Sequence, residues 1–242
     1  MKNLSNKKLG IKGKIFCLSM QRNGTSSVGD FFQNFGLNRV GSPISNKKRW
    51  PLAWYNGDFE AIFNDETFIA ADVLEDDPWW FTDFYKVLYH RFPNSKFILV
   101  ERDADSWFKS MIRHSNGFSV GVTEVHCKLY RREDEYSWLK ANIADFGTLK
   151  NQEMVLYDKA QHYCAVYERY NREVKDFFAR VAPDALFTAS IKDETLWGDL
   201  ANWLNIPGDH ENIEPVHAHK GKGVFAQKHL LVKKNYPEIF NY

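Results

Sequence analysis

Lys14-Ile15-Phe16-Cys17-Leu18-Ser19-Met20-Gln21-Arg22-Asn23-Gly24-Thr25-Ser26-Ser27 is the stretch on which the fold turns. Its apolar start reads as a buried strand, and the polar segment around Arg22 and Gly24 as a tight turn. Val28, Phe31, Phe32 and Phe35 then recur at helical spacing, with Gly36 placed to end the helix. A strand that feeds a helix through such a turn directs backbone N–H groups and the positive helix end at one spot. That spot suits an anion. Arg22 adds a cation there, and Thr25, Ser26 and Ser27 add hydroxyl donors. A triphosphate loop would need G-x-x-x-x-G-K-[ST]. Here Thr25 follows Gly24, and the cation precedes the glycine.

Working outward, apolar runs and helical patterns alternate. Leu37 to Pro43 is expected to hold a short second strand, and Asp58 to Phe63 a short helix. Lys47-Lys48-Arg49-Trp50-Pro51 reads as a basic, aromatic loop. Thr67 to Val73 reads as a buried strand that ends in the acidic knot Glu75-Asp76-Asp77. Asp77-Pro78 carries a helix-start signature for a segment running to Pro93. Lys96 to Val100 is the uninterrupted apolar run of a central parallel strand. Asp103 is placed to cap the helix through Trp107 and Met111. A long helix is expected within Leu156 to Val181, a strand at Ala185 to Ile191, and a helix from Leu196 to Leu204.

This alternation predicts an α/β fold of three layers, a mostly parallel central sheet with helices on both faces. Ligands of such sheets sit beyond the carboxyl ends of the strands. Three polar clusters fall there: Arg22 to Ser27, Glu75 to Asp77, and Arg102 to Ser110. The 242 residues fit a single domain over 1–242, with 116–150 as a lid or acceptor-side insertion.

Lys and Arg number 32 against 31 Asp and Glu, so no global field points to nucleic acid, and an anion site must be a local cluster. Cys17, Cys127 and Cys164 are few and far apart, without zinc spacing, which suits a reducing compartment. The basic start lacks the apolar core of a secretory signal, and no apolar run approaches the ~20 residues needed to cross a bilayer. The expected location is the cytoplasm.

Arg22-Asn23-Gly24-Thr25-Ser26 resembles the 5′-phosphosulfate loop of sulfotransferases that use 3′-phosphoadenosine 5′-phosphosulfate (PAPS). The same family binds the 3′-phosphate with an Arg at the end of a middle strand and a Ser eight residues later. Arg102 and Ser110 give that spacing, since 110 − 102 = 8. Trp197 to Pro207 resembles the W-x-x-L-x-x-x-L-x-(I/V)-P stretch of bacterial relatives, and His219-Lys220-Gly221 an Arg-Lys-Gly element with His in place of Arg.

The resemblance implies a P-loop NTPase-like sulfotransferase fold. It also implies in-line transfer of a sulfuryl group from PAPS to a hydroxyl or amine of a small-molecule, carbohydrate or lipid acceptor. Adenosine 3′,5′-bisphosphate would be the product, with no metal. Arg22, Asn23, Gly24, Thr25, Ser26 and Ser27 would cradle the 5′ side. Arg102, Ser110, Lys220 and Gly221 would hold the 3′-phosphate. Arg22 would stabilise the transferring group, and Asp76 would act as general base, with Asp77 occupied as a helix cap. Trp50, Trp54, Trp79 and Trp80 suit either stacking on an acceptor or core packing. A non-catalytic nucleotide-binding module of this fold and an atypical P-loop kinase are the alternatives.

Overall fold

The computed structural model describes residues 11–115 and 123–208. They divide into two units: 11–102 with 171–208, and 103–115 with 123–170.

The first unit is built on five strands: β1 (Ile15–Cys17), β2 (Arg39–Val40), β3 (Val73–Leu74), β4 (Lys96–Glu101) and β5 (Leu186–Ser190). All pairings are parallel, in the order β2-β3-β1-β4-β5. β1 sits in the middle, with Phe16 opposite Leu74 on one side and Phe97 on the other. Side chains alternate across the pleat. Ile15, Cys17, Val73, Ile98 and Val100 form one core with α1 (Thr25–Asn34) and α12 (Leu196–Trp203). Phe16 and Phe97 turn to the opposite face. There Phe16 meets Phe68 and Trp79 with ring centroids at 6.4 and 5.5 Å, and Phe97 meets Phe178 at 4.7 Å. Those partners come from α5 (Glu66–Ala70), the turn after β3, and the last part of α11 (Ala160–Val181). The architecture is α/β in three layers, with helices on both faces.

Several expected elements stand: β1, α1 with Gly36 at positive φ just past its end, β2, β4, β5 and α12. So does α4 (Phe59–Phe63), capped by Asp58, which accepts from the Ala61 N–H at 3.2 Å.

Thr67 to Val73 does not form the expected strand. α5 occupies most of it, and β3 begins only at Val73. Asp65 caps the helix by accepting from the Thr67 N–H at 2.7 Å. The Lys14 ammonium takes the carbonyls of Ile69 and Ala71 at 3.0 and 2.7 Å. Both ends of one helical turn are thereby satisfied, and the turn buries Phe68 while leaving Ile69 62% exposed.

Pro78 does not start a helix. Residues 77–83 form turns, and α6 runs only over Phe84–Arg91. Asp77 spends its carboxylate on the Trp80 indole N–H at 2.9 Å instead of on a helix cap. The basic loop at 47–51 is mostly helical as well. α2 (Ser42–Lys47) and α3 (Trp50–Tyr55) flank Lys48 and Arg49, and Lys48 pairs with Asp65 at 3.0 Å.

The second unit is helical. α7 (Ala104–Ser115) starts as expected, with the Asp103 carboxylate accepting from the Ser106 N–H at 2.9 Å. Trp107 stacks on Tyr167 at 4.4 Å. α8 (Glu124–Leu129), α9 (Glu133–Asn142) and α10 (Phe146–Glu153) surround Cys127, Tyr136, Phe146 and Met154. Buried Arg132 ties this unit together, donating to Glu135 at 2.6 and 2.7 Å, to the Val155 carbonyl at 3.1 Å and to the Tyr163 hydroxyl at 3.2 Å. The described part of the expected 116–150 insertion belongs to this unit.

Candidate functional site

The loop after β1 is held by its neighbours at almost every step. The Leu18 N–H donates to the Ile98 carbonyl at 2.7 Å. Ser19, fully buried, accepts from the Val100 N–H at 2.7 Å and from the Cys17 thiol at 3.5 Å. Asn23 is equally buried, and both its backbone N–H and its Nδ2 donate to the Met20 carbonyl, at 3.3 and 3.1 Å. The turn so closed puts Arg22 and Gly24 at φ 72° and 77°. At Gly24 that conformation is free of strain. A β-carbon there would also lie 2.9 Å from Ile191 Cδ1.

Gly24 is also the N-cap of α1 and brings no side chain to its N–H groups. The ten-residue helix therefore begins without a side-chain cap from its N-cap residue, at the carboxyl end of the sheet. Arg102, at the end of β4, donates from Nη1 to the Arg22 carbonyl at 3.3 Å. Arg22 and Arg102, one residue from each of two polar clusters named from the sequence, thus meet in this unit.

The third cluster joins them. Glu75 ends β3 and is buried. Arg39 donates to Glu75 Oε1 from Nη2 at 2.7 Å and from Nε at 3.2 Å, and also pairs with Asp30 on α1. Burial pushes the Glu75 carboxyl up to about 7; the Asp76 charge adds to the rise and Arg39 opposes it. Asp76 and Asp77 are raised as well. For Asp76 the causes are burial and then the Asp77 charge, opposed by the Trp80 indole, the Arg22 charge and a hydrogen bond with Ser42. For Asp77 burial is opposed by Trp80, while Glu75 adds to it. The field of Arg22 therefore reaches Asp76. Burial also pushes the Cys17 thiol up to about 12, with Glu75 and Asp76 adding, so it is no nucleophile.

Behind the loop lies a cavity of about 210 Å³. Asn23, Gly24 and Ser27 form one wall, and Val100, Ile191 and Trp197 another. The β5–α12 connection that supplies Ile191 is held by Asp193, whose carboxylate accepts from the Ser190 N–H at 2.8 Å. Sequence reasoning missed Ile191 as a site residue. The available signal was its place immediately after a parallel strand.

Thr25, Ser26 and Ser27 form the first turn of α1. Ser110 is half-buried on α7 in the second unit. Lys220 and Gly221 lie outside the described residues. Trp50, Trp54, Trp79 and Trp80 are all buried and pack on one another and on Phe68 and Phe81, which makes them core.

A profile of the family described as sulfotransferase domain matches residues 14–214. The chain belongs to the sulfotransferase family. The matched span holds the Arg22 loop, the acidic knot, Arg102 and Ser110. No curated protein matches the chain. Among the described residues of this sulfotransferase, no helix is long and apolar enough to cross a membrane.

Proposed function

We propose that the chain moves a sulfuryl group from PAPS to a hydroxyl or amine of a small-molecule, saccharide or lipid acceptor. The observation that carries this reading is the joining of one cation-bearing loop to two other strand ends. Arg102 holds the Arg22 carbonyl, and the charge of Arg22 acts on Asp76. A helix start whose cap residue is a glycine at left-handed φ points the positive end of the helix at the loop and suits an anion, so the residues present fit the donor.

When bound, the donor supplies an activated sulfuryl group on a phosphate leaving group. Arg22 and the backbone of Asn23 to Ser27 stabilise charge at the 5′ end, a task of positioning and fixed electrostatics. Arg102 is assigned to the 3′-phosphate, where a guanidinium can grip in a fork. Ser110, Lys220 and Gly221 are assigned to that phosphate from the sequence resemblance. The cavity beside Gly24 has room for the nucleoside. Asp76 takes the proton of the acceptor, since its raised proton affinity suits a base working near neutral pH. Cys17, Cys127 and Cys164, none in a disulfide, support a cytoplasmic setting.

Calorimetry with adenosine 3′,5′-bisphosphate, followed by an acceptor screen with labelled donor, tests the reading. Metal-independent binding of the bisphosphate together with transfer to one acceptor class is expected. Preference for ATP–magnesium would point to a kinase, and tight bisphosphate binding without transfer to any class would point to a non-catalytic module.

A further inference from the structure

The acidic knot holds three consecutive carboxylates in unlike settings. Glu75 and Asp77 are buried, and Asp76 between them is half-buried. The Glu75 N–H still makes a sheet bond, to the Val40 carbonyl at 3.1 Å. One residue on, the chain leaves the sheet, and Asp76 takes φ 68°, in the left-handed region. A residue other than glycine stays there only where its surroundings impose it, and such positions gather at working sites. Two contacts hold it here. The Trp79 N–H donates to the Asp76 carbonyl at 3.0 Å and closes the turn. The Trp80 indole N–H donates to Asp77 Oδ1 at 2.9 Å and pins the residue immediately after Asp76. Trp80 is set in the aromatic core, edge-on to Phe81 at 5.0 Å, and Phe81 in turn meets Trp54 at 4.9 Å. A buried indole needs an acceptor, but a backbone carbonyl would serve, and burying a carboxylate is costly. Such an acceptor, next to an acid held in a left-handed turn, calls for a role beyond packing.

We propose that Asp77 and Trp80 are a positioning pair for Asp76: their buried hydrogen bond locks the left-handed turn in which Asp76 works as the base. The inference rests on the role given to Asp76 above. It divides the labour between two adjacent acids, with Asp77 as the anchor and Asp76 as the group that takes the proton. The indole also favours the charged form of Asp76, as does Ser42.

The decisive variants are Trp80→Phe, which keeps a ring in the core and removes the N–H, and Asp77→Asn, which keeps an oxygen for the indole. Trp80→Phe should lower kcat by roughly 10²-fold, with the donor KM and the affinity for adenosine 3′,5′-bisphosphate unchanged. Asp77→Ala should do the same, and Asp77→Asn should recover most of the loss. Wild-type kcat in Trp80→Phe, or an Asp77→Asn variant as slow as Asp77→Ala, overturns the proposal. The turn is also read without turnover, by NMR of the ligand-free protein. The Asp76 α-carbon shift and its N–H to Hα coupling both report φ. Their left-handed signature should be lost in Trp80→Phe and Asp77→Ala and kept in Asp77→Asn. A signature that survives Trp80→Phe refutes the pairing. A signature lost in Trp80→Phe, in a protein that transfers to no acceptor, sustains the lock and sinks the sulfotransfer reading instead.

Discussion

The Arg22 loop and the acidic knot both stand at the carboxyl end of the sheet, one strand apart, yet they are made in opposite ways. The loop is organised by backbone and small polar groups. Ser19, Asn23 and Gly24 shape it, and Arg102 secures it through a carbonyl. The knot is organised by buried side chains whose charges press on one another, with Arg39 reaching in from a strand far back in the chain. A site made of backbone is settled by local order. A site made of buried carboxylates has a protonation state that belongs to the whole neighbourhood.

The sharpest way to break this contrast is Asp76→Asn, which should lower kcat by about 10²–10⁴-fold while calorimetry finds bisphosphate affinity unchanged. Equal loss of binding would make the knot part of the donor site. Arg22→Ala should cost roughly 10²–10³-fold in kcat/KM, measured with labelled donor; a variant with wild-type turnover would leave the loop a plain connection. Arg102→Ala should weaken bisphosphate binding by about 1.5–3 kcal/mol, read by the same calorimetry. Gly24→Ala should lower stability by about 1–2 kcal/mol in urea unfolding, because its backbone is left-handed and Ile191 occupies the space.

A last effect concerns pH. The Glu75 carboxyl sits near 7 when folded, against an ordinary 4.5, so the folded chain holds an extra proton between those values. Stability is full below that window and falls as pH rises through it, by at most about 3 kcal/mol. Unfolding measured at pH 5, 6 and 7 should show the decline, and Glu75→Gln should reduce it, leaving the share that comes from the raised Asp76 and Asp77 carboxyls.

Much of this was legible in residue order. The strand, Arg-Asn-Gly turn and helix at 14–34 carry their own signals, as do the apolar run of β4 and the Asp103 cap. Thr67 to Val73 is ambiguous in residue order because a short apolar run fits a strand or a buried helical turn equally well. Lys14, more than fifty residues earlier, decides the matter by taking the carbonyls of Ile69 and Ala71. Asp77-Pro78 misled for a similar reason, since the Asp77 carboxylate goes to an indole three residues on. The grip of Arg39 on Glu75 and the wall supplied by Ile191 depend on strand neighbours, and no local pattern announces them.

The cysteines offer an unplanned benefit to anyone studying how this molecule comes apart. Cys17 is sealed in the central strand of the first unit, and Cys127 is buried in the helical second unit. Neither can meet an alkylating reagent until its own surroundings open. Following the mass of each peptide during slow thiol labelling would therefore time the opening of the two units separately, in the unmodified protein, with half-buried Cys164 reacting ahead of both.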